Sequence, residues 1–486
     1  MLYPTLRLIA GVALRWYYRE VTIVGAGRVP DTGPVILAVN HPNALVDALV
    51  VGWLVPRRIR ITAKAVLFDQ PALGAFLRTM GVIPLRRASD ELAKRRREAG
   101  RATTAAPDAR RATTAPPEAG LDPRRNVEAF DAILDALDDG AAILIFPEGK
   151  SHDDSALAPL KTGPARIALT AREANRAPGL RIVPIGLVFE SKDAPRSRVA
   201  AVVGESIRVH EWQAPPGPAR PAEALTDEIA RRLRDVTLSA PTPERLEQVQ
   251  RLARLVTAIL APAAPPVGAD QSLGDEYAVA ARVARGLDTL PSLPPDLRQR
   301  ATRALAEVEA FGRDLQSAGV AETDAAISLR KRHGARFVAR EVALLLLAGP
   351  VAAWGRITHW IPFRLARRAA LRDVTARDQP AMRTIVWGLA LTLINYAAQV
   401  AIVWALLGGW AALVHLLVLP IAADVDLRYA DRLRTAGRRM RTYLRLRRTP
   451  KLATRLAERR RALADEIRAV DAAFRELAAS RPPNGA

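Results

Sequence analysis

P-V-I-L-A-V-N-H-P-N-A-L-V-D, from Pro34 to Asp47, is the stretch on which the reading of this chain turns. Val35 to Val39 is an apolar run bounded by turn residues, the pattern of a buried strand. It ends in Asn40 and His41, and Pro42 suits the opening of a helical segment that carries Asp47. The layout places an imidazole at the mouth of a sheet, with a carboxylate further along the next element. Such a pair can act as a general base and its orienting partner. Taken alone, a histidine here is more often a plain helix cap, so the rest of the chain must decide.

Short β-like runs recur around this stretch: Val21 to Val24, Ile59 to Thr62, Val82 to Leu85, Ala141 to Phe146, Ile182 to Phe189 and Val199 to Val209. Helical spacing fills the gaps at Pro71 to Met80, Val127 to Leu137 and Gly163 to Asn175. Strands alternating with helices predict an α/β domain over residues 21–215, with a mixed central sheet flanked by helices. Ala88 to Arg125 interrupts it with a near-repeat, R-A-T-T-A-A-P-D-A-R from Arg101 and R-A-T-T-A-P-P-E-A-G from Arg111. Ala, Thr, Pro and Arg without apolar periodicity predict a disordered surface insertion with no catalytic part.

Residues 1–20 hold an apolar segment, Leu8 to Leu14, between Arg7 and Arg15, with Trp16, Tyr17 and Tyr18 behind it. This predicts an interfacial amphipathic helix, or else an ordinary surface helix packed on the domain; no cleavable secretory signal is indicated. Residues 216–341 carry Leu and Ala at helical spacing and predict a helical accessory region with nothing chemical in it. Val342 to Gly355 is charge-free but shorter than the roughly 20 residues of a span, which predicts an interfacial or re-entrant segment. Thr384 to Ala423 runs 40 residues without Asp, Glu, Lys or Arg, long enough for a membrane hairpin hinged at Gly408-Gly409. Both its flanks are basic, which puts both ends on the cytoplasmic side and the protein at the cytoplasmic face of the cell membrane. Membrane-associated segments thus cover 342–425, and 426–486 forms a basic helical tail suited to anionic headgroups. No aromatic platform or nucleic-acid motif accompanies it.

Composition bounds the chemistry. The net charge of +22 favours anionic partners. With no cysteine among 486 residues, disulfides, thiolate metal sites and thiol nucleophiles are excluded. Six histidines without H-x-x-x-H spacing give no basis for a zinc centre.

Three further stretches bear on His41. G-V-I-P-L-R-R, Gly81 to Arg87, ends a strand in two guanidinium groups suited to phosphate. A-I-L-I-F-P-E-G-K-S, Ala142 to Ser151, ends another in a turn where Gly149 permits close approach and Glu148 can accept a substrate hydroxyl. R-I-V-P-I-G, Arg181 to Gly186, is an apolar strand whose proline suits a groove wall or sheet edge.

Together and in this order, the four blocks resemble the glycerolipid acyltransferase superfamily, the glycerol-3-phosphate and lysophosphatidic acid acyltransferases, over about residues 20–210. The resemblance implies a catalytic pair at His41 and Asp47, and substrate-binding residues at Arg86, Arg87, Pro147, Glu148, Gly149 and Lys161. It implies acyl transfer from an acyl-CoA or acyl-carrier-protein thioester to a glycerol phosphate-type acceptor, with no metal or other cofactor. One departure stands out. The usual pattern leaves four residues between His and Asp, and here there are five, Pro42 to Val46. That longer spacing is similar to the glycerol-3-phosphate/dihydroxyacetone-phosphate branch, which favours the first acylation step over the lysophosphatidate step. An unbroken helix turns about 100° per residue, so the extra residue must be absorbed in the turn or the pair does not form. A broken pair would leave a catalytically silent membrane scaffold.

Overall fold

A computed structural model describes residues 2–85, 123–151, 156–217, 219–262, 272–372 and 380–480. The predicted repeat insertion falls mostly outside these residues, as do Arg86 and Arg87. Eight strands form one mixed sheet: β1 (Glu20–Val24), β2 (Val35–Val39), β3 (Ile59–Lys64), β4 (Ile83–Leu85), β5 (Ala142–Ile145), β6 (Arg181–Phe189), β7 (Arg198–Val203) and β8 (Ile207–Arg208). The order is β1-β7-β6-β2-β5-β3-β4, with β8 paired to β6. β2 lies between β5 and β6, parallel to both, and all five of its residues are buried. A strand covered on both faces has no polar side to alternate with, which is why V-I-L-A-V is apolar throughout.

The two faces divide by residue parity. Ile36, Ala38, Ile143 and Ile182 pack under α4 (Pro123–Asp138), α5 (Gly163–Glu173) and α6 (Pro221–Val236). Val35, Leu37, Val39, Leu144 and Val183 pack under α1 (Leu2–Tyr17) and α2 (Ala44–Leu54); α3 spans Pro71–Thr79. Helix α4 already begins at Pro123, so the last three residues of the predicted insertion are helical.

The run Val199 to Val209 is two strands rather than one, broken at Gly204. That break explains Pro184, which lies in an interior strand and not at an edge. Its carbonyl accepts the Gly204 N–H at 2.9 Å. In a strand a residue's N–H and C=O point to the same side. The hydrogen that Pro184 lacks would therefore point where β7 gives way to β8 and needs no ladder bond.

Helix α1 is both packed and exposed. Leu14, Tyr17 and Tyr18 are buried against the sheet, whereas Leu8, Ile9 and Val12 face outward. Gly11 lets the Trp53 ring lie directly against the helix, where a Cβ would sit 2.3 Å from it.

The accessory region folds as α7 (Pro243–Leu260), α8 (Leu273–Thr289) and α9 (Pro295–Ser317). They share a core with Leu456 and Leu463 of the tail helix α13 (Pro450–Ser480). Many tail arginines pair inside the protein. Arg459 meets Glu307 at 2.7 Å and also Asp314, and Arg300 of α9 reaches back to Glu466 at 2.7 Å.

Three helices, α10 (Lys331–Leu371), α11 (Pro380–Leu407) and α12 (Gly409–Arg448), are long and apolar enough to cross a membrane. Val342 to Gly355 is not a separate short segment but part of the 41-residue α10, and α12 runs unbroken through the boundary expected at residue 425. Contacts show that α10 changes direction. Its first half runs antiparallel to α12, with Glu341 on Arg432 at 2.7 Å and Gly355 against the Ala422 carbonyl. Its second half runs antiparallel to α11, with His359 on Tyr396 at 2.8 Å and Ala366 against Gly388. Since α11 and α12 lead to and from the Gly408 hinge, α10 approaches that hinge and then retreats from it. Pro362 cannot donate to the Thr358 carbonyl, and Asn395 Nδ2 (3.0 Å) and Gln399 Nε2 (3.2 Å) donate instead.

Candidate active site

The C-terminal ends of parallel β2 and β5 converge on one turn, the usual place for a ligand site in an open α/β sheet. Asn40 fastens this turn to β6: its Oδ1 accepts the Leu187 N–H at 2.6 Å, and its Nδ2 donates to the Leu187 carbonyl at 3.2 Å. His41 follows. Its backbone N–H donates to Glu148 Oε1 at 2.7 Å, and its ring stacks on Phe146 with centroids 3.9 Å apart. Its Nδ1 lies 2.9 Å from Asp47 Oδ2, so the pair forms despite the five-residue spacing.

The extra residue is absorbed at the N-cap and first residue of the helix. Asn43 is non-helical and Ala44 takes φ +46°, a left-handed conformation that costs a non-glycine residue on the order of 1–3 kcal/mol. The turn is held by the Asn43 N–H, which donates to Asp47 Oδ2 at 2.8 Å. Asp47 therefore sits in the first turn of α2, where the helix dipole favours an anion.

Asp47 is fully buried, and that burial pushes its carboxyl above the ordinary carboxylate range against the lowering pull of His41 and the Asn43 N–H. Its Oδ1 is buried without a hydrogen-bond partner among the described residues. With Nδ1–H donating to Asp47, the Nε2 edge of His41 is left as the basic nitrogen. The His41 side chain is 14% exposed, enough for one edge to meet a substrate.

The turn after β5 supports this pair. Pro147 is buried and Glu148 is 3% exposed. Besides His41, the Glu148 carboxylate accepts the Ala158 N–H at 3.0 Å through Oε2, so it ties the dyad strand to the segment after the turn. A carboxylate has about four lone-pair sites on its two oxygens, so a substrate hydroxyl can share it with these donors. Gly149 takes φ +75°, and the Lys161 stem passes 3.4 Å from where a Cβ would stand. Lys161 donates its backbone N–H to the Pro147 carbonyl at 2.8 Å, and the residue is exposed.

A cavity of about 640 Å³ opens beside the dyad, bordered by Asn40, Pro42 and Glu148 and by Lys192 of the β6–β7 loop. Ser239 and Gln250 of the accessory region and Leu371 and Pro380 of the membrane helices complete it. The accessory region was expected to hold nothing chemical, yet it walls the cleft, and Ser239 Oγ accepts the Leu157 N–H at 3.1 Å. No sequence pattern marks Ser239 or Gln250. Phe146, by contrast, belongs to the F-P-E-G block and was legible there.

The family model described as Acyltransferase matches residues 20–188, the stretch that carries this turn, both carboxylates and all but the last residue of β6. These residues form an acyltransferase-family domain. The chain is similar to an uncharacterized acyltransferase of Schizosaccharomyces pombe, at 26% identity over 52% of this chain and 46% of that protein. It is similar to glycerol-3-phosphate O-acyltransferase 2 of Saccharomyces cerevisiae at 34% identity, over 27% of this chain and 18% of that protein. A plant chloroplastic protein, 1-acyl-sn-glycerol-3-phosphate acyltransferase LPAT1 of Arabidopsis thaliana, is 22% identical over 42% of this chain and 45% of its own length. The matched part thus spans less than half of each of these curated relatives.

Proposed function

We propose that this protein is a membrane-bound O-acyltransferase that moves a fatty acyl group from a thioester donor, acyl-CoA or acyl-carrier protein, to glycerol-3-phosphate or dihydroxyacetone phosphate. The carrying observation is the 2.9 Å contact between His41 and Asp47 beside a cleft at the ends of parallel strands. His41 Nε2 takes the proton of the acceptor hydroxyl as its oxygen attacks the thioester carbonyl. The imidazolium, steadied by Asp47, then returns that proton to the leaving thiolate. The carbon–sulfur bond breaks and an ester forms, with no metal or further cofactor required. Arg86, Arg87 and Lys161 are assigned to the acceptor phosphate, and Glu148 and Gly149 to the acceptor pocket. The likeness to a yeast protein named glycerol-3-phosphate O-acyltransferase supports this acceptor, as does the five-residue His–Asp spacing.

A second reading, acyl transfer to 1-acyl-glycerol-3-phosphate, is favoured by the Arabidopsis relative's name. The silent scaffold loses its motive, because the pair it required to be broken is formed. Purified protein in vesicles, offered glycerol-3-phosphate, dihydroxyacetone phosphate and lysophosphatidate as competing acceptors with each donor in turn, separates the readings. Preferential labelling of lysophosphatidate overturns the first, and no transfer to any acceptor overturns both.

For the membrane, we propose a hairpin of α11 and α12 with α10 re-entrant, which puts both ends of the assembly on the side of the α/β domain, at the cytoplasmic face. The change of direction in α10 and the place of Leu371 and Pro380 in the cleft support this. Exposed arginines of α12 would meet anionic lipid headgroups, and no nucleic acid is assigned. Tags after Arg383 and at the C-terminus should be equally protected from an external protease in sealed vesicles. Opposite accessibility would leave a single crossing.

A further inference from the structure

Asn43, one of the residues between His41 and Asp47, is 1% exposed and hydrogen-bonded through both backbone and side chain. Its N–H shares Asp47 Oδ2 with His41 Nδ1. Its side-chain Nδ2 donates to the Lys192 carbonyl at 2.9 Å and to the Tyr18 hydroxyl at 3.3 Å. Tyr18 directly follows α1, and Lys192 lies in the loop between β6 and β7.

That loop is hung on the membrane-side helices at two further points. The Asp193 carbonyl accepts both the Tyr17 hydroxyl of α1 at 2.9 Å and Arg367 Nη1 of α10 at 2.8 Å. Arg196 pairs with Asp431 of α12 and donates to the Arg15 carbonyl of α1 at 2.8 Å. One side chain therefore stands between the dyad turn and a loop held by α1, α10 and α12.

We infer that Asn43 is a positioning residue that makes the His41–Asp47 geometry depend on the seating of the membrane-side helices against the domain. Its amide donors are enclosed, so a loop that leaves α10 would strand them without water to replace the lost acceptor, and unmet buried donors are costly. The docked loop and the strained turn at Ala44 are thus stabilised together or lost together. A dyad coupled in this way is assembled when the helices are seated and loosened when they are not. The inference rests on His41 and Asp47 being the catalytic pair.

The test uses the full chain in phospholipid vesicles, with Asn43→Ala, Asn43→Leu, Arg367→Ala and the Asn43→Ala/Arg367→Ala double variant. Asn43→Leu keeps the branched shape of the side chain and removes its donors, so a filler role and a donor role give opposite results. Misplacing a reacting group by about 1 Å can cost up to roughly a hundredfold, and both Asn43 variants should lower kcat on that scale with little change in either KM. Arg367→Ala should lower kcat less, and the double variant should match Asn43→Ala alone rather than the product of the two losses. Wild-type kcat in Asn43→Leu, or a multiplicative double variant, overturns the inference. Hydrogen exchange supplies a readout independent of turnover. Amides 43–47 should exchange faster in both Asn43→Leu and Arg367→Ala, and unchanged protection there overturns the inference even if no acceptor is turned over. Absence of transfer by wild type, with the exchange changes present, counts against the proposed reaction only.

Discussion

Two enclosed histidines, His41 at the end of β2 and His359 in the membrane bundle, show what separates a reactive site from a structural one. His359 is fully buried with both ring nitrogens engaged, Nδ1 near the Gly355 carbonyl at 3.0 Å and Nε2 on the Tyr396 hydroxyl at 2.8 Å. His41 uses Nδ1 on Asp47, stacks one face on Phe146 and keeps an exposed edge, with no protein partner for Nε2 among the described residues. Around His359, Asn395 and Gln399 repair the carbonyl that Pro362 leaves unmet. Around His41, Glu148 and Asn43 hold a nitrogen in place while leaving it open. Both regions use polar side chains to fix geometry, and only one leaves a basic atom free.

The largest effect that can break this comparison is on turnover. General-base removal is typically worth on the order of 10²–10⁴ in rate, so His41→Ala should abolish transfer at that scale while the protein stays folded and membrane-bound. His359→Ala should leave kcat within a few-fold and lower thermal stability instead. Steady-state kinetics beside a melting curve for each variant decide it, and near-normal turnover in His41→Ala would sink the mechanism.

The bundle offers the next effect. Replacing Asn395 and Gln399 together by Leu leaves the Thr358 carbonyl unmet, a loss of about 1–3 kcal/mol seen in chemical unfolding. The same double replacement in a Pro362→Ala background should cost clearly less, because an alanine there supplies the missing N–H. Equal costs in both backgrounds would show that the two amides are not there to serve the proline.

A smaller effect has a definite sign. The carboxyl of Asp47 is raised by burial, so the folded state binds its proton more tightly than the unfolded state does. Its stabilising contribution is present at low pH and is lost as pH rises through the raised value. Asp47→Asn should therefore be inactive yet melt a few degrees higher than wild type at neutral pH, with the difference shrinking as the pH falls. A lower melting temperature at neutral pH would mean that the ionised pair stabilises the fold.

The smallest expected effect is on the insertion. Residues 88–122 show no apolar periodicity, and their replacement by a short Gly/Ser linker should leave acceptor kinetics within about twofold. Larger loss would place this segment against the substrate or the domain.

Local sequence pattern marked most of the strands. Runs such as Val35 to Val39, apolar throughout, have only one comfortable place, a strand covered on both faces, and the observed β2 has the predicted bounds. It also determined the membrane segment, because 40 uncharged residues cannot be enclosed in a small soluble core. The four blocks pointed to the acyltransferase domain by their resemblance to that family, and the sheet brings the ends of β2 and β5 together whatever the intervening loops. Tertiary structure alone decided how His41 meets Asp47. Counting residues places the carboxylate off line, and the pair forms in a turn where Ala44 takes a left-handed φ and the Asn43 N–H bonds Asp47. Tertiary structure also decided that Pro184 is interior, that α10 bends, and that Ser239 and Gln250 face the cleft. Local patterns record which residues avoid water. They do not record which partner, tens or hundreds of residues away, will satisfy a particular donor or accept a particular strain.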